Sequence, residues 1–270
     1  MEQLCRKIHM PEEVTQIVLR YHNDPNFTPD LRKLTQENTW NVGRQELKTA
    51  LGDDPDGFGE LCCQLRCALD AKAGFDRLGI PEEVYYDTMG CFSRFLREHM
   101  ESYGRYGFDR GFWTVRQISC KLFRIGQLEY ELITLNGVPT ISLHIPTDVI
   151  LRLPLLRQSY LEARELLNRV FPEYANAPMY CHSWLLSPTL SQLLPKDSNI
   201  LRFQRSFQIT PLDSASAGVL QWVFKNPSLP ADQFPENTSL QRKLKAFLMD
   251  GGTFMDAKGY LISEPFLQQK

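Results

Sequence analysis

The dipeptide Asn136-Gly137, set between two alternating segments, constrains the fold of this chain more than any other feature. Asn-Gly is the strongest short-range signal for a two-residue type I′ turn, because both central residues need positive φ. Residues 121–135 and 138–146 are therefore predicted to form an antiparallel hairpin. Such a turn fixes the register, so Leu135 should face Val138 and Glu129 should face His144.

This register places a carboxylate beside an imidazole on one face of the hairpin. Side chains directly opposite each other have Cβ atoms about 5 Å apart. Glu129 should therefore lie next to His144, and Glu131 next to Ser142 on the same face. The first pair could orient the histidine for proton transfer. A half-exposed antiparallel sheet alternates in the same way without any function, so both interpretations stay open.

Composition narrows the class of protein. The chain has 270 residues, a net charge of −2, 43% hydrophobic and 23% charged residues, which fits one large or two modest globular domains. The near-neutral charge argues against a nucleic-acid partner. No apolar run is long enough for a membrane span, and the N-terminus lacks a signal-peptide core, so we expect a cytoplasmic protein without a membrane partner. The seven cysteines show neither a disulfide framework nor paired zinc-ligand spacing, and no metal is expected.

Hydrophobic periodicity predicts helices first and a mixed order afterwards. Pro-Glu-Glu-Val at 11–14 and at 81–84 marks two helix starts, because acids favour the positive end of the helix dipole. Residues 103–113, rich in glycine and aromatics, are predicted to connect the two halves. The predicted second half comprises a helix carrying the stripe Leu156–Val170, a strand Met179–Leu186, a strand Ile200–Thr210, a short helix Val219–Phe224, a helix opened by a Thr238/Gln241 capping box, and a closing hairpin Thr253–Ser263.

The segment Tyr180-Cys181-His182-Ser183-Trp184 suggests a Cys–His nucleophile, but the strand geometry excludes it. Neighbouring residues of a strand point to opposite faces, so Cys181 and His182 cannot pair with each other. His182 is then either a substrate-site residue or a histidine satisfied in the core. No P-loop, dinucleotide fingerprint, HExxH or GxSxG motif is present in the sequence.

Several segments together resemble a known family of two-part bacterial proteins. In that family an N-acyltransferase N-terminal domain of helices precedes a GNAT-like C-terminal domain. The resemblance implies an α+β fold, with a helical domain at 1–112 followed by a GNAT-like mixed α/β acyltransferase domain at 113–270. The segments that carry it are Trp113-Thr114-Val115-Arg116-Gln117, Lys121–Glu131, Leu143-His144-Ile145-Pro146, Cys181–Pro188, Ser198-Asn199-Ile200 and Thr238–Arg242.

The resemblance also implies where an acyl donor would bind. In GNAT acyltransferases two central strands splay apart and the pantetheine of acyl-CoA inserts between them. Here these strands would be residues 140–145 and 179–186, with the helix 154–171 between them. The co-substrate would be acetyl-CoA or another acyl-CoA. His144 and His182 would lie near the reaction centre, and Glu129 would orient His144 or take the amine proton itself.

The pyrophosphate segment departs from the superfamily pattern Gln/Arg-x-x-Gly-x-Gly/Ala. Leu155 and Arg157 occupy the positions where small residues let backbone N–H groups approach phosphate. Arg152, Arg157 and Ser159 are the residues that we expect to hold the donor. Glu131, Ser142, Ser183 and Trp184 are those that we expect to line the substrate site.

Three functions follow as hypotheses. The first is acyl transfer from acyl-CoA to an amine of a small molecule or peptide. The second is a non-catalytic ligand- or partner-binding module on a degenerate GNAT-like fold, favoured by the missing glycines. The third is a hydrolase, supported only by the Glu129–His144 pair.

Overall fold

The computed structural model describes residues 1–225 and 228–262, and the side chains of residues 213 and 217 are left aside. The chain divides into two compact units, one ending at Ile125 and one beginning at Gly126. No helix within the described ranges is long and apolar enough to cross a membrane. Helices dominate the first unit and a mixed sheet forms the second, so the α+β prediction is confirmed.

The first unit is helical except for its last element. Buried side chains hold its helices together: Arg44 Nε donates to Glu60 Oε1 at 2.9 Å, and Gln64 Nε2 donates to the Gly111 carbonyl at 3.0 Å. The elements are α1 Glu2–Lys7, α2 Glu12–Asn23, a 3-10 helix Arg32–Thr35, α3 Trp40–Leu51, α4 Phe58–Arg77, α5 Glu82–Met89, α6 Cys91–Tyr103, α7 Gly111–Ile118 and β1 Leu122–Ile125.

The two predicted Pro-Glu-Glu helix starts are confirmed. Pro11 and Pro81 are the N-caps of α2 and α5, with glutamates in the first turn of each helix. The second of these helices, α5, ends at Met89 and α6 begins at Cys91, with Gly90 between them in right-handed helical backbone (φ −56°, ψ −18°). Residues 111–113, predicted to be part of a connection, are the first turn of α7.

The second unit is built on a sheet. Five of the six described strands belong to this unit, and they are hydrogen-bonded in the order β2-β3-β4-β6-β5. Its elements are β2 Leu128–Leu135, β3 Val138–His144, α8 Leu153–Val170, a 3-10 helix Pro172–Tyr174, β4 Met179–His182, a 3-10 helix Trp184–Leu186, α9 Leu190–Leu193, α10 Asn199–Gln204, β5 Phe207–Ala215, α11 Ala217–Phe224, a 3-10 helix Ala231–Gln233, α12 Ser239–Met249 and β6 Met255–Leu261.

The hairpin at Asn136-Gly137 has the predicted register. Both turn residues have positive φ, 52° at Asn136 and 80° at Gly137. Leu135 pairs with Val138 at the first rung, and Glu129 pairs with His144 at the seventh. The turn therefore determines which side chains of β2 and β3 share a face.

A crossover through α8 joins β3 to the parallel strand β4. The side of the sheet that α8 covers is apolar, and the hydroxyls of Tyr130 and Ser159 lie 2.8 Å apart between strand and helix. The predicted helix and its position between the two strands are confirmed. Thr238 and Gln241 form the predicted capping box of α12.

The predicted strands Met179–Leu186 and Ile200–Thr210 are wrong in extent or type. The strand from Met179 ends at His182 instead of Leu186, because the Ser183 side chain caps a 3-10 helix that follows at once. Residues 199–204 are helical, because the Ser198 hydroxyl accepts a hydrogen bond from the Leu201 N–H and begins α10; only the part from Phe207 is a strand. A short apolar run is compatible with a helix or a strand, because periodicity alone does not distinguish the two.

The predicted closing hairpin at 253–263 is one continuous strand, β6, and its last residue Ser263 lies outside the described residues. Gly259 does not turn the chain. A Cβ at this position would lie 2.9 Å from the Gln208 carbonyl oxygen, so glycine here permits close approach of β5. β6 pairs with β4 on one side and with β5 on the other.

Replacing Gly137 with alanine tests the turn. No atom lies within 4 Å of the added Cβ, so the cost comes from the φ of +80° alone. We expect Gly137→Ala to lower the free energy of unfolding by about 1–2 kcal/mol in chemical denaturation.

Gly218→Ala is the matched control. Gly218 lies in α11, and the added methyl would meet neighbours only at 3.7 Å or beyond. It should leave stability unchanged or raise it by up to about 1 kcal/mol. Equal losses in the two variants would contradict the assigned turn.

Candidate functional site

Polar and aromatic side chains from four strands share the face of the sheet that is opposite α8. Paired residues of adjacent strands project to the same side, and alternate residues keep to that side. The register therefore groups Glu129 and Glu131 of β2, Ser142 and His144 of β3, Tyr180 and His182 of β4, and Asp256, Lys258 and Tyr260 of β6. We call this set the polar face.

A carboxylate–imidazole pair lies at the end of β3. His144 Nε2 and Glu131 Oε2 are 2.7 Å apart, and their side chains are 21% and 13% exposed. Sequence reasoning assigned His144 to Glu129, which is indeed its register partner and is buried. A hydrogen bond joins His144 to the diagonal neighbour Glu131, because a diagonal position on the same face is within reach of a long side chain. The residue types and the face were predictable, whereas the bond to the diagonal glutamate was not.

A second histidine lies near a carboxylate at the end of β4. His182 Nε2 is 3.8 Å from Asp256 Oδ2, beyond hydrogen-bond distance, with the histidine side chain 52% exposed. Lys258 is the register partner of His182, and Asp256 is again the diagonal neighbour. Sequence reasoning missed Asp256, since it placed residues 253–263 in a closing hairpin. The exposure of His182 differs from that of a histidine satisfied in the core.

The two histidines lie just beyond the last rung of the β3–β4 ladder. β3 and β4 pair at Ile141–Met179 and Ser142–Tyr180, near the start of β4. His144 and His182 each lie two residues further along, on the same face. β3 stays paired to β2 through His144, and β4 stays paired to β6 through His182. The two strands therefore stop pairing with each other before either of them ends.

Helix α8 begins at the same edge of the sheet. Arg152 is its N-cap and is exposed, with φ −99° and ψ 128°. Pro154 removes one of the N–H groups that a helix start offers to an anion. The loop ahead of the helix is held by Gln127, whose side-chain oxygen accepts a hydrogen bond from the Ile150 N–H at 2.8 Å. Arg157 lies one turn into the helix and is half-buried.

Two predicted site residues serve the interior of the unit. Ser159, expected near the donor, is buried, and its hydroxyl contacts the hydroxyl of Tyr130. Trp184 is half-buried against an apolar cluster, with its ring 6.5 Å from that of Phe254.

The two predicted serines of the substrate site have different surroundings. Ser183 accepts a hydrogen bond from the Leu185 N–H at 3.1 Å. Ser142 is buried on the polar face between Glu131 and Tyr180.

The side of the sheet facing α8 holds groups that are not available for proton transfer. Cys181 is buried, and its burial raises the pKa of the thiol to about 12. Burial also raises the pKa of Tyr160 well above its usual range. Over the described ranges, no three His, Cys, Asp or Glu side chains are grouped to hold a metal ion. The chemistry of the unit therefore concentrates on the polar face.

Comparison with known proteins also divides the chain into two parts, which meet near residue 121. The family model of the N-acyltransferase N-terminal domain matches residues 1–120, and that of the GNAT-like C-terminal domain matches residues 122–261. A search of curated proteins found no match.

Solved structures give a match over nearly the whole chain. One is an acyltransferase in complex with decanoyl-CoA and teicoplanin, and another is an acyltransferase in complex with CoA and 10C-teicoplanin. A third is an acyltransferase mutant in complex with octanoyl-CoA. Each shares 25% sequence identity with this chain at a TM-score of 0.79, and each match covers 96% of this chain and 86% of the solved chain. The chain belongs to the family in which an N-acyltransferase N-terminal domain precedes a GNAT-like C-terminal domain.

Proposed function

We propose that this protein transfers an acyl group from acyl-CoA to a primary amine of a small molecule or peptide. The early end of the β3–β4 ladder, with the Glu131–His144 pair at its edge, is the observation that carries the proposal. The similar acyltransferases that hold CoA and acyl-CoAs support it.

The donor would occupy the edge where β3 and β4 stop pairing. Pantetheine has amide groups that would bond to the backbone of both strands beyond the last β3–β4 rung, much as an added strand would. The pyrophosphate would then meet the start of α8, where the helix dipole and the Arg152 guanidinium both favour an anion. Octanoyl-CoA and decanoyl-CoA in the similar structures make a medium-chain acyl group the first choice of donor.

The reaction would be direct attack of the amine on the thioester. The nitrogen forms the amide bond, the carbon–sulfur bond breaks, and CoA leaves as a thiolate that takes up a proton. Glu131 orients His144, and the pair accepts the proton lost from the nitrogen, directly or through water. A backbone N–H beyond the last β3–β4 rung would stabilise the developing oxyanion. Cys181 takes no part, because its thiol is buried and neutral.

One observation favours a second function, a binding module without catalysis. The start of α8 carries Leu155 and Arg157 where the superfamily pattern has small residues, and Pro154 lacks an N–H donor. If these side chains exclude pyrophosphate, the polar face would bind a ligand without acyl transfer.

Isothermal titration of the full chain with decanoyl-CoA, octanoyl-CoA and acetyl-CoA separates the two functions. We expect saturable heat, strongest with a medium-chain donor, and a loss of affinity in Arg152→Gln because a phosphate contact is removed. Absence of heat with all three donors, at concentrations far above those that saturate ordinary acyltransferases, would remove the acyltransferase proposal.

Glu131→Gln tests the catalytic pair. The amide keeps the size of the side chain but removes the charge that supports a protonated His144. We expect kcat, followed as free CoA thiol with a panel of primary amines, to fall about 100- to 10,000-fold. Affinity for the donor should stay unchanged.

Glu129→Gln is the comparison variant, since Glu129 is the register partner of the same histidine. A larger loss of kcat in Glu129→Gln than in Glu131→Gln would assign the proton-accepting role to Glu129 instead.

Direct attack also predicts an unreactive Cys181. A pKa raised to about 12 leaves the thiol protonated from neutral pH to about pH 9, and only a thiolate is a strong nucleophile. Iodoacetamide should leave Cys181 unmodified in the folded protein across that range, as read by peptide mass spectrometry, and should alkylate it after denaturation. Rapid labelling of Cys181 in the folded chain, or an acyl group found on this residue, would contradict direct attack.

A further inference from the structure

The outer part of the polar face is open to solvent and has its own chemistry. Tyr260 is 43% exposed, and its ring centroid lies 5.4 Å from that of Tyr180 with 58° between the planes. Lys258 is exposed beside them, and His182 and Asp256 complete the set. We call these five residues the acceptor face. All of them come from the adjacent strands β4 and β6, so their order is fixed by one antiparallel register.

That order is directional. Alternate residues along a strand are about 7 Å apart, so Asp256, Lys258 and Tyr260 follow one another at steps of that length. Asp256 and His182 lie at the edge where β4 ends and the β3–β4 ladder has stopped. The two tyrosine rings lie furthest from that edge, and Lys258 lies between the rings and Asp256. Charge and apolar surface are thus arranged along a line that starts at the proposed reaction edge.

We propose that the acceptor face binds the amine substrate, and that this substrate is an aromatic primary amine that also carries an anionic group. The proposal rests on the acyltransferase function proposed above and names its acceptor class. The ammonium group binds Asp256 and His182, the ring packs on Tyr180 and Tyr260, and the anion meets Lys258. Aromatic rings give a large contact area with tilted tyrosines, and a lysine ammonium favours a carboxylate or phosphate.

Two histidines then have separate tasks, because an ammonium must lose two protons to become an amide. The first passes from the ammonium to the imidazole of His182, which frees the nitrogen lone pair. The second leaves during attack and is accepted by the Glu131–His144 pair. The departing thiolate takes up one proton, and the other returns to solvent. One carboxylate–imidazole pair prepares the nucleophile and the other completes the transfer.

Three probes separate the ring from the anion. We would use L-phenylalanine, which has both groups with the carboxylate on the amine side of the ring, 2-phenylethylamine, which lacks the carboxylate, and L-cyclohexylalanine, in which the ring is saturated. Binding to the full chain is measured by titration without any donor, so turnover does not interfere. We expect L-phenylalanine to bind most tightly of the three.

The variants assign each contact. Lys258→Gln should weaken the binding of L-phenylalanine about three- to tenfold and leave that of 2-phenylethylamine unchanged, because only the former presents a carboxylate. Tyr260→Leu should weaken the binding of both aromatic probes more than that of L-cyclohexylalanine. Lys243→Gln is the matched control, an exposed lysine of α12 outside the acceptor face, and should change nothing. Circular dichroism confirms that each variant is folded.

Equal affinity for the three probes, no binding of any of them, or equal effects of Lys258→Gln and Lys243→Gln would overturn the acceptor assignment. These outcomes leave the donor titration untouched, so the proposed function would stand with a different acceptor. Conversely, probes that discriminate as expected while no acyl-CoA binds would retain the acceptor face and remove the acyltransferase function.

Discussion

The chemistry of this protein depends on strand register, which keeps its polar side chains on one face of the sheet of the second unit. Each strand alternates between a face that packs on α8 and a face that carries acids, histidines and tyrosines. A slip by one residue in any strand would bury Glu131 or His182 against the helix and expose Leu143 or Cys181. The large cost of that exchange explains why polar groups from four strands meet on one side without a metal or disulfide among the described residues to hold them.

Local signals made part of this arrangement predictable. Asn136 and Gly137 alone determine which residues of β2 and β3 face each other, because a two-residue turn leaves no freedom of register. Helix boundaries with a clear chemical signal were predictable too, as the capping box of α12 shows. Both signals act between residues a few positions apart, so an isolated sequence contains them in full.

Contacts between distant segments could not be predicted in the same way. β6 enters the sheet between β4 and β5, and nothing near residues 255–261 specifies those two partners. Gly259 was placed in a closing hairpin although it serves close packing with β5. Asp256 was therefore absent from the predicted site, while Ser183 and Trp184 were expected on a strand that ends at His182. The bond between His144 and Glu131 depends on side-chain reach, which register alone does not determine.

The central position of β6 also affects how the protein matures. A ribosome releases the chain from its N-terminus, so β2 to β5 emerge before the strand that must lie between β4 and β5. Until that strand arrives, β4 has only two rungs to β3, and three of the five acceptor-face residues have not been synthesised. A nascent chain therefore carries Glu131 and His144 without Asp256 or Lys258. Assembly of the complete polar face therefore waits until the last described strand has left the ribosome.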